Sequence, residues 1–109
     1  MKRNQSENLS IEQKICLLFK QDCKLYNSPN FGIFVEIPPG TPAATINQYA
    51  NLIKSAGITI EVTQEHKIAT LIYPGKLRVQ GETIDTFSAK ITALLEHTSK
   101  QSNIENPQI

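Results

Sequence analysis

The chain has 109 residues and a formal net charge of +1: room for one domain, and no strong field to draw in nucleic acid or an anionic membrane. No apolar run approaches the ~20 residues of a membrane span, and the opening MKRNQSENLS has no apolar segment behind its basic residues, so it is not read as a secretory signal. Hydrophobic residues make up 39% and thin out at both ends, so the core-forming part is near the lower size limit for independent folding and is expected to gain from an oligomer or a partner.

Residues 1–9 are polar and are read as a flexible N-terminus. A helix is expected from Ser10, which with Gln13 fits a capping box. Its stripe of Ile11, Ile15, Leu18 and Leu25, widened by Cys16, Leu17 and Phe19, carries it to residue 25. On one helix Cys16 and Cys23 would stand ~10.5 Å apart, at ~1.5 Å per residue. A disulfide spans only ~4.4–6.8 Å between Cα atoms, so the two are read as free thiols. That fits a reducing compartment, and the chain is expected to be cytoplasmic. Residues 27–30, Asn-Ser-Pro-Asn, form a loop of turn formers.

The stretch 31–62 organises the rest. Phe31, Ile33, Val35 and Ile37 share one parity, with Phe34 and Glu36 on the other, which predicts a half-buried strand over 31–37. Pro38, Pro39 and Gly40 end it. Thr41 is placed to cap a helix over 42–56 that opens on Pro42, and Gly57 to take the left-handed conformation after its end. Ile46, Tyr49, Ala50 and Ile53 form its inner stripe. Ile58, Ile60 and Val62 then alternate with Thr59, Glu61 and Thr63 in a second strand. Strand, helix and strand with loops this short fit a right-handed crossover between parallel strands.

A short connection, 64–67, leads to an apolar strand over 68–73, expected to fold back as a hairpin. A loop of two or four residues pairs Val62 with Ala69 and Ile60 with Leu71, leaving Ile68, Thr70 and Ile72 outside. A loop of three exchanges the two sets, and either way the strand is apolar on both faces. Pro74-Gly75 turns the chain into 76–80, where Leu77 and Val79 alternate with Lys76, Arg78 and Gln80 as an edge strand with outward charges. Thr83 is placed to cap a last helix over 83–98 that faces inward with Ile84, Phe87, Ile91, Leu94 and Leu95. Residues 99–109 are polar and read as a disordered tail.

The expected fold is therefore α+β: one domain over 10–98 with a three- or four-stranded mixed sheet, the helices at 42–56 and 83–98 on one face, and an N-terminal helix. The element order resembles a ferredoxin-like arrangement with its last strand missing or displaced. It is also similar to a thioredoxin-type domain without its first strand, although no Cys-x-x-C is present. Both resemblances concern element order alone.

Little in the residues signals chemistry. His66 and His97 have no zinc-site spacing around them, and no metal or cofactor is expected. Pro38-Pro39-Gly40-Thr41 lies before a helix N-terminus but lacks the glycine and lysine spacing of a phosphate loop. Glu36 and Glu61 fall on the polar parity of their strands and could act as paired carboxylates, the basis of an enzyme reading. Lys67, Lys76 and Arg78, with Tyr73, could contact phosphates and stack a base, the basis of a nucleic-acid reading. Ahead of both stands a non-enzymatic interaction module that binds a protein partner or itself, as a homodimer, through an apolar sheet face carrying Phe34, Ile68 and Ile72. No membrane association is expected.

Overall fold

A computed structural model describes the backbone of residues 9–105 and the side chains of 9–98. The chain is α+β; among the described residues it has three helices, a four-stranded antiparallel sheet and a separate two-stranded sheet. Helix α1 (Ile11–Phe19) leads into the hairpin β1 (Lys24–Ser28) and β2 (Gly32–Glu36). Helix α2 (Ala43–Lys54) and strand β3 (Thr59–Thr63) follow. Then come the small hairpin β4 (His66–Ile68) and β5 (Leu71–Tyr73), strand β6 (Lys76–Gln80) and helix α3 (Ile84–Glu105).

Helix α1 starts as its sequence predicts. Ser10 Oγ accepts from the Gln13 backbone N–H, and the Gln13 side chain accepts from the Ser10 N–H. Its end differs from the expectation of residue 25. Lys20 takes the left-handed conformation at φ 59°, and its N–H bonds to Cys16 O. The chain then reverses, and Lys24–Ser28 becomes an edge strand paired with β2 from Lys24↔Glu36 to Ser28↔Gly32. Cys16 and Cys23 thus do not share a helix, although both are free thiols.

The main sheet has the order β1-β2-β6-β3. Strands β2 and β3 run parallel, as expected of the strand–helix–strand unit, but β6 lies between them and pairs antiparallel with both. The expected edge strand over 76–80 is thus central. Val62 pairs with Leu77 rather than with Ala69. The fourth strand is supplied from the N-terminal side by β1.

One parity of this sheet faces all three helices. Ile33, Val35, Ile37, Ile60, Leu77 and Val79 share a single buried cluster with helix residues. Those are Ile15, Leu18 and Phe19 of α1, Ile46, Ala50 and Ile53 of α2, and Phe87, Ile91 and Leu94 of α3. The Phe19 and Tyr49 rings stack at 4.1 Å and join α1 to α2. Thr41 does not cap α2: the cap position is Pro42, and the Thr41 hydroxyl donates to Pro38 O at 2.7 Å. Gly57 has φ +83°, as its place after α2 predicts. Helix α3 continues past 98 to Glu105, and the end of the expected tail, 106–109, lies outside the described residues, as do residues 1–8.

Candidate functional site

With the helices on one side, the second parity of the sheet stays accessible among the described residues. Across its middle run Tyr26, Phe34, Arg78 and Glu61, each the register partner of the next. The Tyr26 and Phe34 rings stack with centroids 5.0 Å apart, the geometry that cross-strand aromatic neighbours favour. Lys76 Nζ lies 5.7 Å from the Phe34 centroid, within cation–π range. Arg78 Nη1 stands 3.8 Å from Glu61 Oε1, with both side chains about half exposed, so this pair contributes little to stability. Phe31, Phe34, Thr63, Lys76 and Arg78 line a shallow cavity of about 330 Å³ on this face.

Phe31 was expected inside, on the parity of Ile33. It is 64% exposed instead, because Gly32 takes φ +77° and breaks the alternation in front of the strand. Tyr26 was missed altogether, since it lies where the sequence reads as a helix end running into a loop.

Ile68 and Ile72 are not on this face. The expected strand over 68–73 is broken at Ala69-Thr70, with Ala69 at φ 58°, and its halves pair with each other as the hairpin β4–β5. In that hairpin Ile68 is 58%, Leu71 59% and Ile72 48% exposed. The sheet-face surface expected of Phe34, Ile68 and Ile72 is thus split: Phe34 on the main sheet, the isoleucines on the hairpin. Leu71, assigned to the core by one of the two registers, joins them outside.

The base of the hairpin is fixed even though its tip is bare. Glu65 Oε1 accepts from the Gly40 N–H at 2.7 Å, and Ile37 N–H donates to Gly75 O at 2.8 Å. The His66 ring stacks on Tyr73 at 5.1 Å, and its Nδ1 lies 3.2 Å from Gln64 O. The four residues of the nucleic-acid reading are divided in the same way. Lys76 and Arg78 belong to the open sheet face, whereas Lys67 and Tyr73 belong to the hairpin.

Glu36 and Glu61 are not brought together. They sit on strands separated by β6 and are offset by two residues along it, so their Cα atoms stand ~12 Å apart. Glu36 pairs with Lys76 and Glu61 with Arg78, so each carboxylate has a cation as its cross-strand partner. Among the described residues no group of three or more His, Cys, Asp or Glu is placed to hold a metal ion, and no helix is long and apolar enough to cross a membrane. No protein-family model, curated protein or solved structure matches this chain.

Proposed function

We propose that this chain is a non-enzymatic interaction module whose projecting hairpin β4–β5 docks onto a protein surface, first of all that of a second copy. The observation that carries this is the exposure of Ile68 and Leu71, cross-strand partners on one face of a hairpin of three-residue strands, with Ile72 exposed on its other face. A two-stranded hairpin is marginally stable in water without a surface to pack on. Seating such side chains in a partner contributes up to ~1.5–3 kcal/mol each, less what they already bury. The pinned base supports the same conclusion, since a contact element held at its root loses less freedom on docking.

Sedimentation over a concentration series tests it. Wild-type chain is expected to self-associate, and Ile72→Asp and Leu71→Asp are expected to give folded monomers by circular dichroism. A wild-type chain that stays monomeric, or association that both substitutions leave intact, overturns self-docking through the hairpin.

A second reading has its own observation: the Tyr26–Phe34 stack with Lys76 and Arg78 beside it on an open antiparallel sheet. Exposed rings stack bases and neighbouring cations meet phosphates in single-strand recognition. Binding to a short single-stranded oligonucleotide would then weaken steeply with salt. Replacing both Lys76 and Arg78 by alanine would flatten the log–log slope by about 2. No binding at low salt removes this reading without touching the first.

A further inference from the structure

We propose that Cys16 and Cys23 are a reactive thiol pair, which a low-molecular-weight disulfide of the glutathione class oxidises in the folded chain to a bridge between α1 and the start of β1. Neither of the binding surfaces above is involved. Because α1 stops at Phe19 and the chain reverses through Lys20, Cys23 returns to lie against Cys16. Cys16 Sγ accepts from the Cys23 N–H and donates to Cys23 O, both at 3.3 Å. Adding an N–Cα bond of ~1.46 Å places that sulfur at most ~4.8 Å from the Cys23 Cα. A bridge, whose Cα atoms stand ~4.4–6.8 Å apart, then needs the Cys23 side chain to turn toward that sulfur.

Access is also built in. Both cysteines line a cavity of about 750 Å³, together with Glu12, Gln13, Asp22 and Lys24, which supply hydrogen-bonding and charged groups of both signs for a peptidic disulfide. The two thiols are not equivalent. Cys16 is half-buried and lies nearer solvent, whereas Cys23 is only 6% exposed. Burial, with smaller contributions from Cys16 and Asp22, pushes the Cys23 thiol up to about 12, so it is a poor first nucleophile.

The exchange balances in two steps. Cys16 sulfur attacks one sulfur of the oxidant, forms a mixed disulfide and releases one small thiol, which takes the Cys16 proton. Cys23 sulfur then attacks Cys16 in that mixed disulfide and releases the second small thiol with the Cys23 proton. Two protein thiols give up two electrons and two protons, and one disulfide becomes two thiols.

Oxidised glutathione is the probe. Folded wild-type chain is titrated with it, quenched with acid, and measured by intact mass and by tryptic mapping without reductant. The expected product is lighter by two hydrogens, with peptide 15–20 joined to peptide 21–24. Holding the thiols together raises their effective concentration, so half-conversion is expected at ~10-fold less oxidant than in the urea-unfolded chain. Cys23→Ser is expected to stop at a glutathione adduct on Cys16. Three outcomes each overturn the proposal: two free thiols after exposure of the folded chain, a wild-type product that stops at the mixed disulfide, or a bridge that forms no more readily folded than unfolded. The folded-against-unfolded comparison needs only wild-type chain, so it decides the matter even if the serine variant fails to fold.

Discussion

Lys14 Nζ donates to Thr92 Oγ1 at 2.8 Å, and the same hydroxyl donates onward to Ser88 O at 2.9 Å. The lysine is only 8% exposed, so this relay ties α1 to α3 through a buried cation. Thr92→Val removes the acceptor and leaves the ammonium without it. A loss of ~1–3 kcal/mol is expected in urea unfolding. Lys14→Met removes the charge itself and fills the space with apolar atoms, so it should cost less. In the Lys14→Met background the Thr92→Val cost should fall below ~0.5 kcal/mol, since the two residues act as one unit. Additive losses would show that the contact contributes nothing of its own.

Glu82 sets an acid limb. Its carboxylate is held below the usual glutamate range, first by the hydrogen bond from Lys90 Nζ at 2.7 Å and then by that from Thr86 Oγ1 at 2.6 Å, with partial desolvation opposing. A lowered folded value means stability that is present above the unfolded value and lost as pH falls through the folded one. Glu82→Gln should therefore melt below wild type at neutral pH and approach it in acid. Parallel stability curves from about pH 3 to pH 7 would count against this.

Gly57 tests backbone conformation in isolation. At φ +83° a Cβ would meet nothing within 4 Å, so any loss on substitution comes from the backbone and not from a clash. Gly57→Val should lose ~1 kcal/mol or more, because a β-branched residue resists positive φ. For a domain of this size that lowers Tm by ~4–8 °C. Gly57→Asn should lose clearly less, since asparagine tolerates the left-handed region. Equal losses would point to some other cause.

Ala69 offers the reverse experiment. It holds φ 58° at the hairpin tip without being glycine. Ala69→Gly relieves that strain and should stabilise the hairpin by ~0.5–1 kcal/mol. Amide exchange in His66–Ile68 and Leu71–Tyr73 should slow, while the global melt stays close to wild type. Faster exchange would mean that glycine's extra freedom in the open state outweighs the relief.

The buried halves of the elements were legible in the sequence. Ile46, Ala50 and Ile53, then Phe87, Ile91 and Leu94, show helical spacing and all lie in the core. Ile33, Val35 and Ile37 show strand spacing and do the same. The breaks were not legible, because they fall on residues that carry no turn signal. Lys20 and Ala69 both take positive φ, where sequence reading looks for glycine or asparagine. Missing the first hid β1 and Tyr26, and turned two adjacent cysteines into distant ones. Missing the second joined two short strands into one and placed Ile68 and Ile72 on a sheet they do not belong to. The central place of β6 was hidden for a different reason. Alternating Leu77 and Val79 with charged neighbours fits an edge strand as well as a middle strand with one wet face, and only the pairing partners separate the two.

That central place has a consequence during synthesis. When the ribosome has released the chain only as far as residue 75, the hairpin β1–β2 and helix α2 can exist, but β3 has no neighbour in the main sheet. The last strand to emerge is the one that joins the hairpin β1–β2 to β3. Folding must therefore wait for contacts such as Val35 with Leu77, and closing so long a loop slows the search for the native sheet. Until then the inner faces of β2 and α2 lack Leu77, Val79 and the core side chains of α3, and a stalled or truncated nascent chain is exposed to aggregation over that interval.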